Sequence, residues 1–549
     1  MKYIQYLAKI LNEKEKKKFI YIAFLMFLNT LFELLSIGMI LPVLSILFGE
    51  NFSFLPNSFY NFIQNFSQSQ LITFTLISII LIILLKNLFI LFYNYQQSLY
   101  AKNIQVRVAG DIFAKYIFQN YLFFLKKNTG TILRNVNTSR IVSLCLISYL
   151  TLLLEFIIIS IFFLYLFYIN YVSTLVVSSI FVIFGITLYK FTRNKLYNWS
   201  SVKQDIDAQI NQQIIQTFSL IKNVKIFNKE KKMFNYFHKL INKFENLNLK
   251  VDIVQQIPKI SIEVLGVITL STLIIILLLQ NINPLEIIAI IAIYALVIFR
   301  IIPSTTRIVT AFQRIKMYAP SMELIKNEYL DLNDNFDYNN FDKSLEKIRF
   351  KKLEFKNVSF SYDKNNLIIN KLNFHVNNGD IIGIYGESGS GKSTLVNLIS
   401  GLLKPSEGTI EINNQNLEVN KGNWLASLGY VPQQAMLFNA SIADNVSFFE
   451  NQRENIDFKF KLDSALKKSN MDQFMQNLPN KENSIVGENA SKLSGGQIQR
   501  LGIARALFND PDFLIFDEAT NALDNENESE ILKTIFELKN KKTIIIISH

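Results

Sequence analysis

The stretch IIGIYGESGSGKSTLVNLI, residues 381–399, predicts the architecture of the C-terminal part of the chain. It begins with five residues that are almost all apolar, which indicates a short buried strand. A loop containing Gly386, Gly389 and Gly391 follows, and the apolar residues after this loop recur at helical spacing. A glycine-rich turn between a buried strand and a helix predicts an α/β domain built on a P-loop.

The loop matches the pattern GxxxxGKS, which is typical of phosphate-binding loops. Glycines let successive backbone N–H groups turn toward a phosphate, and the following helix N-terminus favours its negative charge. Lys392 would reach the β and γ phosphates, and the Ser393 hydroxyl would bind Mg²⁺. The predicted nucleotide-binding residues of this segment are Gly386, Glu387, Ser388, Gly389, Ser390, Gly391, Lys392, Ser393 and Thr394.

A second apolar strand, in DFLIFDEATNALD (residues 512–524), ends in two adjacent carboxylates. Asp517 is predicted to hold the Mg²⁺ shell, and Glu518 is predicted to polarise the attacking water as a general base. The sequence LSGGQ, residues 493–497, lies between the loop and this strand. These motifs predict a domain that binds ATP with Mg²⁺.

The N-terminal part has the composition of a membrane protein. Hydrophobic residues make up 50% of the chain, and 47 residues are Phe, well above the values of an ordinary soluble enzyme. The chain has one cysteine, Cys145, and three histidines. A disulfide framework or a metal cluster is therefore not expected.

Six apolar segments are each near the length of about 20 residues that spans a bilayer. They cover residues 19–48, 71–93, 141–167, 172–190, 260–279 and 285–302. Three connections, 49–70, 168–171 and 280–286, carry no Lys or Arg, whereas 94–140 carries seven and 191–257 carries eleven. This positive-inside pattern predicts six spans with both termini in the cytoplasm. Because topology explains the formal net charge of +12, no nucleic-acid partner is expected.

These patterns divide the chain into three parts. Residues 1–314 form an α-helical transmembrane domain with six helices and two long cytoplasmic loops, residues 315–351 form an Asn- and Asp-rich linker, and residues 352–549 form the nucleotide-binding domain. The two long connections have apolar residues at helical spacing. The second to fifth helices are therefore expected to extend well below the membrane.

The order of these motifs resembles that of ABC transporters, and the whole chain resembles an exporter-type half-transporter. This resemblance implies that Tyr362 stacks on adenine and that Gln433 couples the γ-phosphate and Mg²⁺ to the membrane domain. It implies that Asp524 joins two ATP sites and that His549 is a switch histidine at the γ-phosphate. The implied signature contacts, made from the opposite subunit, are Ser494, Gly495, Gly496 and Gln497. The catalytic set is then Gln433, Glu518 and His549, and the Mg²⁺ set is Ser393, Gln433 and Asp517.

The resemblance also implies a homodimer, because ABC transporters share each ATP site between two nucleotide-binding domains. Two stretches, YLFFLKKNTGTILRNV (121–136) and TFSLIKNVKIFNKE (217–230), resemble the coupling helices of exporters. Either could equally be a surface helix. Family members continue beyond the position of His549, so a truncated C-terminal end is expected.

Several cations lie within or just below the apolar segments. Counted at about 1.5 Å per residue, Lys86 and Arg300 lie roughly 22 Å from the outer helix ends, inside a hydrocarbon core about 30 Å thick. Lys259 and Arg307 lie nearer the cytoplasmic interface. Three acidic residues lie at a depth similar to that of Arg300: Glu33, Glu155 and Glu263. Two interpretations stay open: a glutamate pairs with Arg300 while the other cations reach the inner head groups, or the cations line a cavity that holds an anionic head group.

Three segments, GMILP (38–42), PKISIEVLG (258–266) and FRIIPSTTRIV (299–309), resemble the PglK group of bacterial flippases for lipid-linked oligosaccharides. This resemblance implies a polyprenyl-pyrophosphate-linked glycan that moves from the cytoplasmic to the periplasmic leaflet of the inner membrane. The candidate substrate residues are Lys86, Lys259, Arg300 and Arg307. One alternative is a general lipid or multidrug exporter of the lipid A type. From a different class, the chain could be an ATP-gated channel or a regulatory subunit.

Overall fold

The computed structural model of the chain contains two compact units. It describes residues 2–38, 68–280, 284–329, 345–363, 366–450, 455–487, 492–519, 529, 533, 536, 537 and 541–548. The first unit comprises Met1–Gln119 and Lys127–Phe336. The second unit comprises Asn120–Lys126 and Asp337–His549.

The chain up to residue 329 is helical throughout its described part. The helices are α1 (Lys2–Ile10), α2 (Glu13–Gly38), α3 (Gln68–Ile117), α4 (Tyr121–Lys126), α5 (Thr129–Thr138), α6 (Arg140–Ile169), α7 (Tyr171–Ser219), α8 (Ile221–Ile226), α9 (Glu230–Leu279) and α10 (Pro284–Tyr329). Helices α3 and α9 have 50 residues each, which corresponds to about 75 Å at 1.5 Å per residue. Helix α7 has 49 residues, whereas α6, which carries the third predicted segment, has 30. The second, fourth and fifth segments thus lie in helices longer than a bilayer requires, and their extension on the cytoplasmic side stays a prediction.

Four stretches of the described helices are long and apolar enough to cross a membrane: Leu76–Ile117, Thr129–Ile169, Tyr171–Ser219 and Glu230–Leu279. They contain the second to fifth predicted segments, apart from the first few residues of the second. The first predicted segment continues from α2 into residues 39–48, which lie outside the described residues. The sixth lies in α10, where the side chains of residues 284–289 are not described. A count of six spans stays a prediction.

Helix α10 continues to Tyr329, although the sequence predicts a linker from residue 315 onward. The reason is a buried stripe: Ile315, Ala319, Met322 and Ile325 recur at helical spacing and are almost inaccessible to solvent. The residues between these apolar positions are mostly polar and lie on the other side of the helix. They give the segment the composition of a linker. Residues 315–329 of the predicted linker are therefore helical, and residues 330–344 lie outside the described part.

Helix α10 packs against α6, α7 and α9 in the first unit. Near its start the hydroxyl oxygens of Tyr294 and Thr174 lie 2.7 Å apart, and further along Ser200 donates to the carbonyl oxygen of Met317. The buried Gln313 donates to the carbonyl oxygen of Val254 at 3.4 Å. Polar contacts of this kind fix the rotational setting of helices whose surfaces are otherwise apolar.

The second unit is the α/β domain that the phosphate loop predicts. Its strands are β1 (Lys352–Phe360), β2 (Ile369–Asn377), β3 (Ile381–Tyr385), β4 (Glu407–Ile412), β5 (Gln415–Asn416), β6 (Leu428–Val431), β7 (Phe513–Asp517) and β8 (Thr543–Ser548). Its helices beyond α4 are α11 (Lys392–Ile399), α12 (Lys421–Ala426), α13 (Ile442–Ser447), α14 (Ile456–Lys468), α15 (Asp472–Gln476) and α16 (Gly495–Leu507).

The strands form two sheets, and the parallel sheet positions the candidate site. One sheet is antiparallel, in the order β2-β1-β4-β5, and the other has the order β3-β8-β7-β6. In the parallel sheet Tyr385 pairs with Ser548, and Asp517 pairs with Ile547. The carboxyl ends of β3 and β7 therefore lie at one edge, where open α/β sheets bind their ligands.

A group of aromatic rings packs within the largely aliphatic core that both sheets share. Trp424 is fully buried, contacts Phe513 with ring centroids 5.1 Å apart and donates its indole N–H to the carbonyl oxygen of Ile399 at 2.9 Å. Leu122 of the short helix α4 packs against the same core. This contact explains why α4 belongs to the second unit although its sequence neighbours belong to the first.

Candidate functional site

The phosphate loop joins β3 to α11 through residues in left-handed backbone conformations. Gly389 has φ of +85° and Gly391, at the N-cap of α11, has φ of +94°, values that side chains rarely tolerate. A Cβ on Gly386 would lie 3.0 Å from Ser390 Oγ. Lys392 is buried and folds back, with its Nζ donating to the carbonyl oxygens of Gly386 and Glu387.

These residues fit a bound nucleotide phosphate. A side chain at Gly391 would meet Ile368 Cγ2 at 3.1 Å, so the loop keeps a concave backbone that only glycine leaves open. Ser393 is exposed at the first turn of α11 and Thr394 is buried. The Tyr362 hydroxyl lies 3.3 Å from Thr394 Oγ1, and its ring stacks edge-on against Phe360. The structure thus places the predicted adenine-binding tyrosine beside the phosphate loop.

The two carboxylates lie at the end of β7. The Tyr430 hydroxyl donates to Asp517 Oδ2 at 3.0 Å. Burial raises the pKa of Asp517, and the negative charge of Glu518 raises it further, while the Tyr430 hydrogen bond and the positive charge of Lys392 act in the opposite direction.

Glu518 has an unusual backbone conformation for a residue with a side chain. Its φ is +50°, a region that residues other than glycine rarely occupy and that often marks functional sites. Its N–H donates to the Ile547 carbonyl oxygen at 3.2 Å. Gln433 Nε2 donates to Glu518 Oε2 at 2.6 Å. The structure brings together two residues, 85 positions apart, that the sequence analysis assigned to one reaction.

The LSGGQ segment forms the N-terminus of α16. Ser494 caps the helix, with its hydroxyl accepting from Gln497 N–H at 3.3 Å and its own N–H donating to Gln497 Oε1 at 2.9 Å. A Cβ on Gly495 would meet no atom within 4 Å. This reciprocal capping box stabilises the N-terminus of α16, which carries the positive end of the helix dipole, at the surface of the domain.

A network that sequence reasoning missed fastens α16 to the segment that carries Gln433. Buried Gln499 donates to the carbonyl oxygen of Pro432 at 3.1 Å, and Gly502 packs so closely on Ala435 that an added Cβ would lie 2.8 Å from it. Arg505 donates to the carbonyl oxygens of Met436 and Asn445 at 2.9 and 2.8 Å. In the sequence, the spacing of residues 499, 502 and 505 places them on one helix face, and this spacing was the signal that could have indicated the network.

Arg505→Met is expected to destabilise the second unit, because the change leaves two backbone carbonyl groups without their charged donor. Hydrogen bonds to charged groups contribute roughly 1.5–3 kcal/mol, which corresponds to a melting temperature lower by about 5 °C or more. Thermal unfolding of the full chain followed by circular dichroism measures this shift. The matched control is Lys467→Met, an exposed lysine of α14. Equal melting temperatures for both variants would contradict the role of Arg505.

Two of the predicted residues, Asp524 and His549, lie outside the described residues. Of the candidate substrate residues, the side chain of Arg300 is also outside them, Lys86 is half-buried in α3 and Lys259 is exposed on α9. Arg307 forms an ion pair with Glu155 through its Nε, and its Nη2 lies 3.2 Å from the second carboxylate oxygen. Pairing of a glutamate with Arg300, one of the two interpretations left open by the sequence, stays untested, and the ion pair that the structure describes at this depth contains Arg307.

The two stretches that resemble coupling helices contain the short helices α4 and α8, and the first stretch also contains most of α5. Helix α4 belongs to the second unit, as its Leu122 contact shows. Helix α8 belongs to the first unit and exposes Ile221 and Ile226. Their roles in coupling stay predictions.

Comparison with curated proteins finds export proteins of bacteria. The chain is 41% identical over 199 residues to the alpha-hemolysin translocation ATP-binding protein HlyB of Escherichia coli O157:H7, an alignment that covers 36% of this chain and 28% of HlyB. It is 34% identical over 255 residues to a putative export ATP-binding/permease protein of Rickettsia bellii, covering 46% of this chain and 41% of that protein. The chain thus spans less than half the length of these relatives.

Comparison with solved structures finds the same architecture over nearly the whole chain. A bacterial Atm1-family ABC exporter with ATP bound superposes with a TM-score of 0.77 and covers 98% of this chain and 92% of the exporter chain. The two sequences are 20% identical, so this likeness shows the fold alone.

Two family models match the chain in the order that the motifs predict. Residues 19–301 match the model described as the ABC transporter transmembrane region, and residues 369–521 match the model described as ABC transporter. The first model alone covers more than half of the chain. A helical transmembrane domain of the exporter fold is thus followed by the ATP-binding domain, and this multi-pass membrane protein belongs to the ABC transporter family.

Proposed function

We propose that two copies of this chain form an exporter that hydrolyses ATP and moves an anionic, lipid-linked substrate across the membrane. The proposed substrate is a polyprenyl-pyrophosphate-linked oligosaccharide, which passes from the cytoplasmic to the periplasmic leaflet of a bacterial inner membrane. The distribution of Lys and Arg supports cytoplasmic termini. The names of the relatives, which refer to export and translocation, support the outward direction.

ATP hydrolysis is supported by the arrangement around the phosphate loop. The loop backbone and Lys392 would bind the phosphates, and Tyr362 would stack on the adenine ring. Ser393, Gln433 and Asp517 would hold Mg²⁺, which neutralises phosphate charge when it is bound. Glu518, held by the amide of Gln433, would accept the proton of the attacking water.

A homodimer is supported by the single nucleotide-binding domain in each chain. Ser494 and Gly496 lie at a capped helix end where the helix dipole favours an anion. In the proposed dimer this helix end would meet the nucleotide that the partner copy binds at its phosphate loop, and His549 would contact the same γ-phosphate. Two identical sites would result.

The observation that carries the substrate proposal is the environment of Arg307. Its partner Glu155 is almost fully buried, whereas 41% of the Arg307 side chain is exposed. The guanidinium therefore uses its Nε and Nη2 for the carboxylate and keeps an accessible edge. The planar guanidinium of arginine can donate two hydrogen bonds to the oxygens of one phosphate group. A charged side chain within an apolar helix costs free energy when the helix is inserted in a membrane, which supports a functional role for Arg307. Arg300, Lys86 and Lys259 are proposed as further cations of the same site.

A general exporter of lipids or drugs is the second candidate. It needs an apolar path through the helices but no cation for a pyrophosphate. A regulatory subunit or ATP-gated channel is a third, and the presence of Glu518 beside Gln433 favours an active ATPase over it. Steady ATP hydrolysis that depends on transported substrate separates an exporter from a channel.

Replacing the Arg307–Glu155 pair by two glutamines should slow translocation of a lipid-linked oligosaccharide by about tenfold, since a charged hydrogen bond contributes roughly 1.5–3 kcal/mol. The double change Arg307→Gln with Glu155→Gln avoids a buried carboxylate without a partner, which would itself destabilise the helices. Basal ATPase activity should stay within about twofold. Reconstituted vesicles with a fluorescent lipid-linked glycan measure both quantities.

Two further variants sharpen this test. Arg307→Lys keeps the positive charge but loses the planar guanidinium with its paired N–H donors. This variant should translocate the lipid-linked oligosaccharide slowly if the guanidinium binds the pyrophosphate. Arg314→Gln, one heptad further along the helix and exposed, is the matched control and should behave as wild type. Normal translocation by the double glutamine variant would remove Arg307 from the substrate site.

A further inference from the structure

Tyr430 of β6 is not among the site residues predicted from the sequence, yet it contacts one of them. Its hydroxyl donates to Asp517 Oδ2 at 3.0 Å, at the end of β7 where the candidate Mg²⁺ ligands lie. Within the described part of the chain, no other side chain forms a hydrogen bond with the Asp517 carboxylate. One carboxylate oxygen is therefore held by Tyr430, and the other stays available to a cation.

The register of the parallel sheet explains why a tyrosine reaches this carboxylate. Tyr430 pairs with Ile515, so Asp517 lies two residues further along the neighbouring strand. Neighbouring strands are about 4.8 Å apart, and two residues add about 6.6 Å along the strand. A tyrosine side chain is long enough for this diagonal and carries a donor at its tip. Phenylalanine would have the same ring but no donor.

The burial pattern of β6 and β7 shows that the two side chains share one face of the sheet. Ile515 packs in one hydrophobic core, whereas Val431 and Phe516 pack in another. Side chains alternate between the two faces along a strand. Tyr430, which pairs with Ile515, and Asp517, two residues after it, therefore lie on the Ile515 face. The hydrogen bond follows from the strand pairing and does not require a distortion of either strand.

The segment 430–433 supplies a donor to each carboxylate at the end of β7. Tyr430 donates to Asp517, and Gln433, three residues later, donates to Glu518 Oε2 at 2.6 Å. The two carboxylates are adjacent in sequence, but each is held by a different side chain. They can therefore keep different orientations, which a metal ligand and a general base require.

We propose that Tyr430 is a positioning residue for ATP hydrolysis, whose hydroxyl fixes the orientation of the Asp517 carboxylate toward Mg²⁺. This inference rests on the proposed function, because it takes Asp517 to be a Mg²⁺ ligand. Groups that hydrogen-bond the ligands of a metal ion orient them, and replacing such a group typically weakens metal binding or activity by roughly 10- to 100-fold. Tyr430 acts through Asp517 and needs no contact with the nucleotide.

Tyr430→Phe removes the hydroxyl and keeps the ring. In the full chain in detergent, Mn²⁺ serves as a probe for Mg²⁺ because electron paramagnetic resonance detects it. Mn²⁺ should bind about tenfold more weakly to the complex of this variant with a non-hydrolysable ATP analogue. The affinity for the analogue in EDTA should equal that of wild type, because the phosphate loop is unchanged. The matched control is Tyr236→Phe, an exposed tyrosine of α9, which should match wild type in both measurements.

A double-mutant cycle distinguishes positioning from a purely structural role. Asp517→Asn should weaken Mn²⁺ binding, because the amide carries no negative charge. Adding Tyr430→Phe to Asp517→Asn should cause almost no further loss, because the hydroxyl acts through this carboxylate. A purely structural role would instead lower the melting temperature of the nucleotide-free protein, and the two losses of Mn²⁺ affinity would add.

The proposal is overturned if Tyr430→Phe and Tyr236→Phe bind Mn²⁺ equally well. It is also overturned by an equal loss of affinity for the ATP analogue in EDTA, which would indicate a distorted site, or by additive losses in the cycle. The proposed function fails in a different way. If Asp517→Asn binds Mn²⁺ as tightly as wild type does, the Asp517 carboxylate is not a metal ligand, and Tyr430 has no ligand to orient.

Discussion

The Glu518→Gln variant should bind ATP with nearly normal affinity but hydrolyse it about 10²–10⁴ times more slowly than wild type. An amide has the size of the carboxylate and can still accept the hydrogen bond that Gln433 Nε2 donates at 2.6 Å. It cannot accept a proton from the attacking water. The two nucleotide-binding domains should then stay closed around ATP.

The left-handed backbone at Glu518, with φ of +50°, is retained in this variant because the Ile547 carbonyl oxygen accepts the N–H of residue 518 whatever its side chain. Turnover is measured as phosphate release from purified protein, and nucleotide affinity by titration. Glu418→Gln, an exposed carboxylate of the same unit, serves as the control and should hydrolyse ATP normally. Turnover of Glu518→Gln within a few fold of wild type would show that another group acts as the base.

Lys392→Ala should lose nucleotide affinity and turnover together. The ammonium lies in the phosphate loop, bound to the carbonyl oxygens of Gly386 and Glu387, and would turn its charge to the β and γ phosphates. With charged hydrogen bonds contributing roughly 1.5–3 kcal/mol each, ATP affinity should fall about 10- to 100-fold.

Titration of both variants with ATP and ADP distinguishes the roles of Lys392 and Glu518. Lys392→Ala should weaken ATP binding, whereas Glu518→Gln should leave it largely unchanged. Lys404→Ala removes an exposed lysine of the same unit and should leave affinity unchanged. If Lys392→Ala binds ATP as wild type does, the phosphate loop assignment is wrong.

Local patterns were sufficient to predict the nucleotide-binding domain. The strand 381–385 and the helix that begins at Lys392 occur where the glycine loop predicts them, since loop, strand and helix are set by neighbours in sequence. The pairing of Asp517 with Ile547 depends on sheet order, which the motifs imply only through the family resemblance.

Contacts between distant residues could not be predicted from the sequence. Arg307 and Glu155 are 152 positions apart, and several glutamates lay at a suitable depth, so depth counting alone could not choose the pair. The spacing of residues 499, 502 and 505 indicates a shared helix face, but the backbone carbonyl oxygens that accept from Gln499 and Arg505 cannot be identified from the sequence. The end of α10 was misplaced because the polar residues between its buried apolar positions have the composition of a linker, although most of them are partly buried in the structure.

The proposed flippase activity is measured by ATP-dependent translocation by the purified full chain in sealed vesicles that contain a polyprenyl-pyrophosphate-linked oligosaccharide. Transfer of the glycan to the opposite leaflet and phosphate release are followed in the same sample, with Glu518→Gln as the inactive reference. For an ATP-driven flippase of this lipid, we expect that lipid transfer requires ATP, rises with phosphate release and disappears in Glu518→Gln. Phosphate release without transfer of this lipid, or equal transfer by the Glu518→Gln protein, would contradict it.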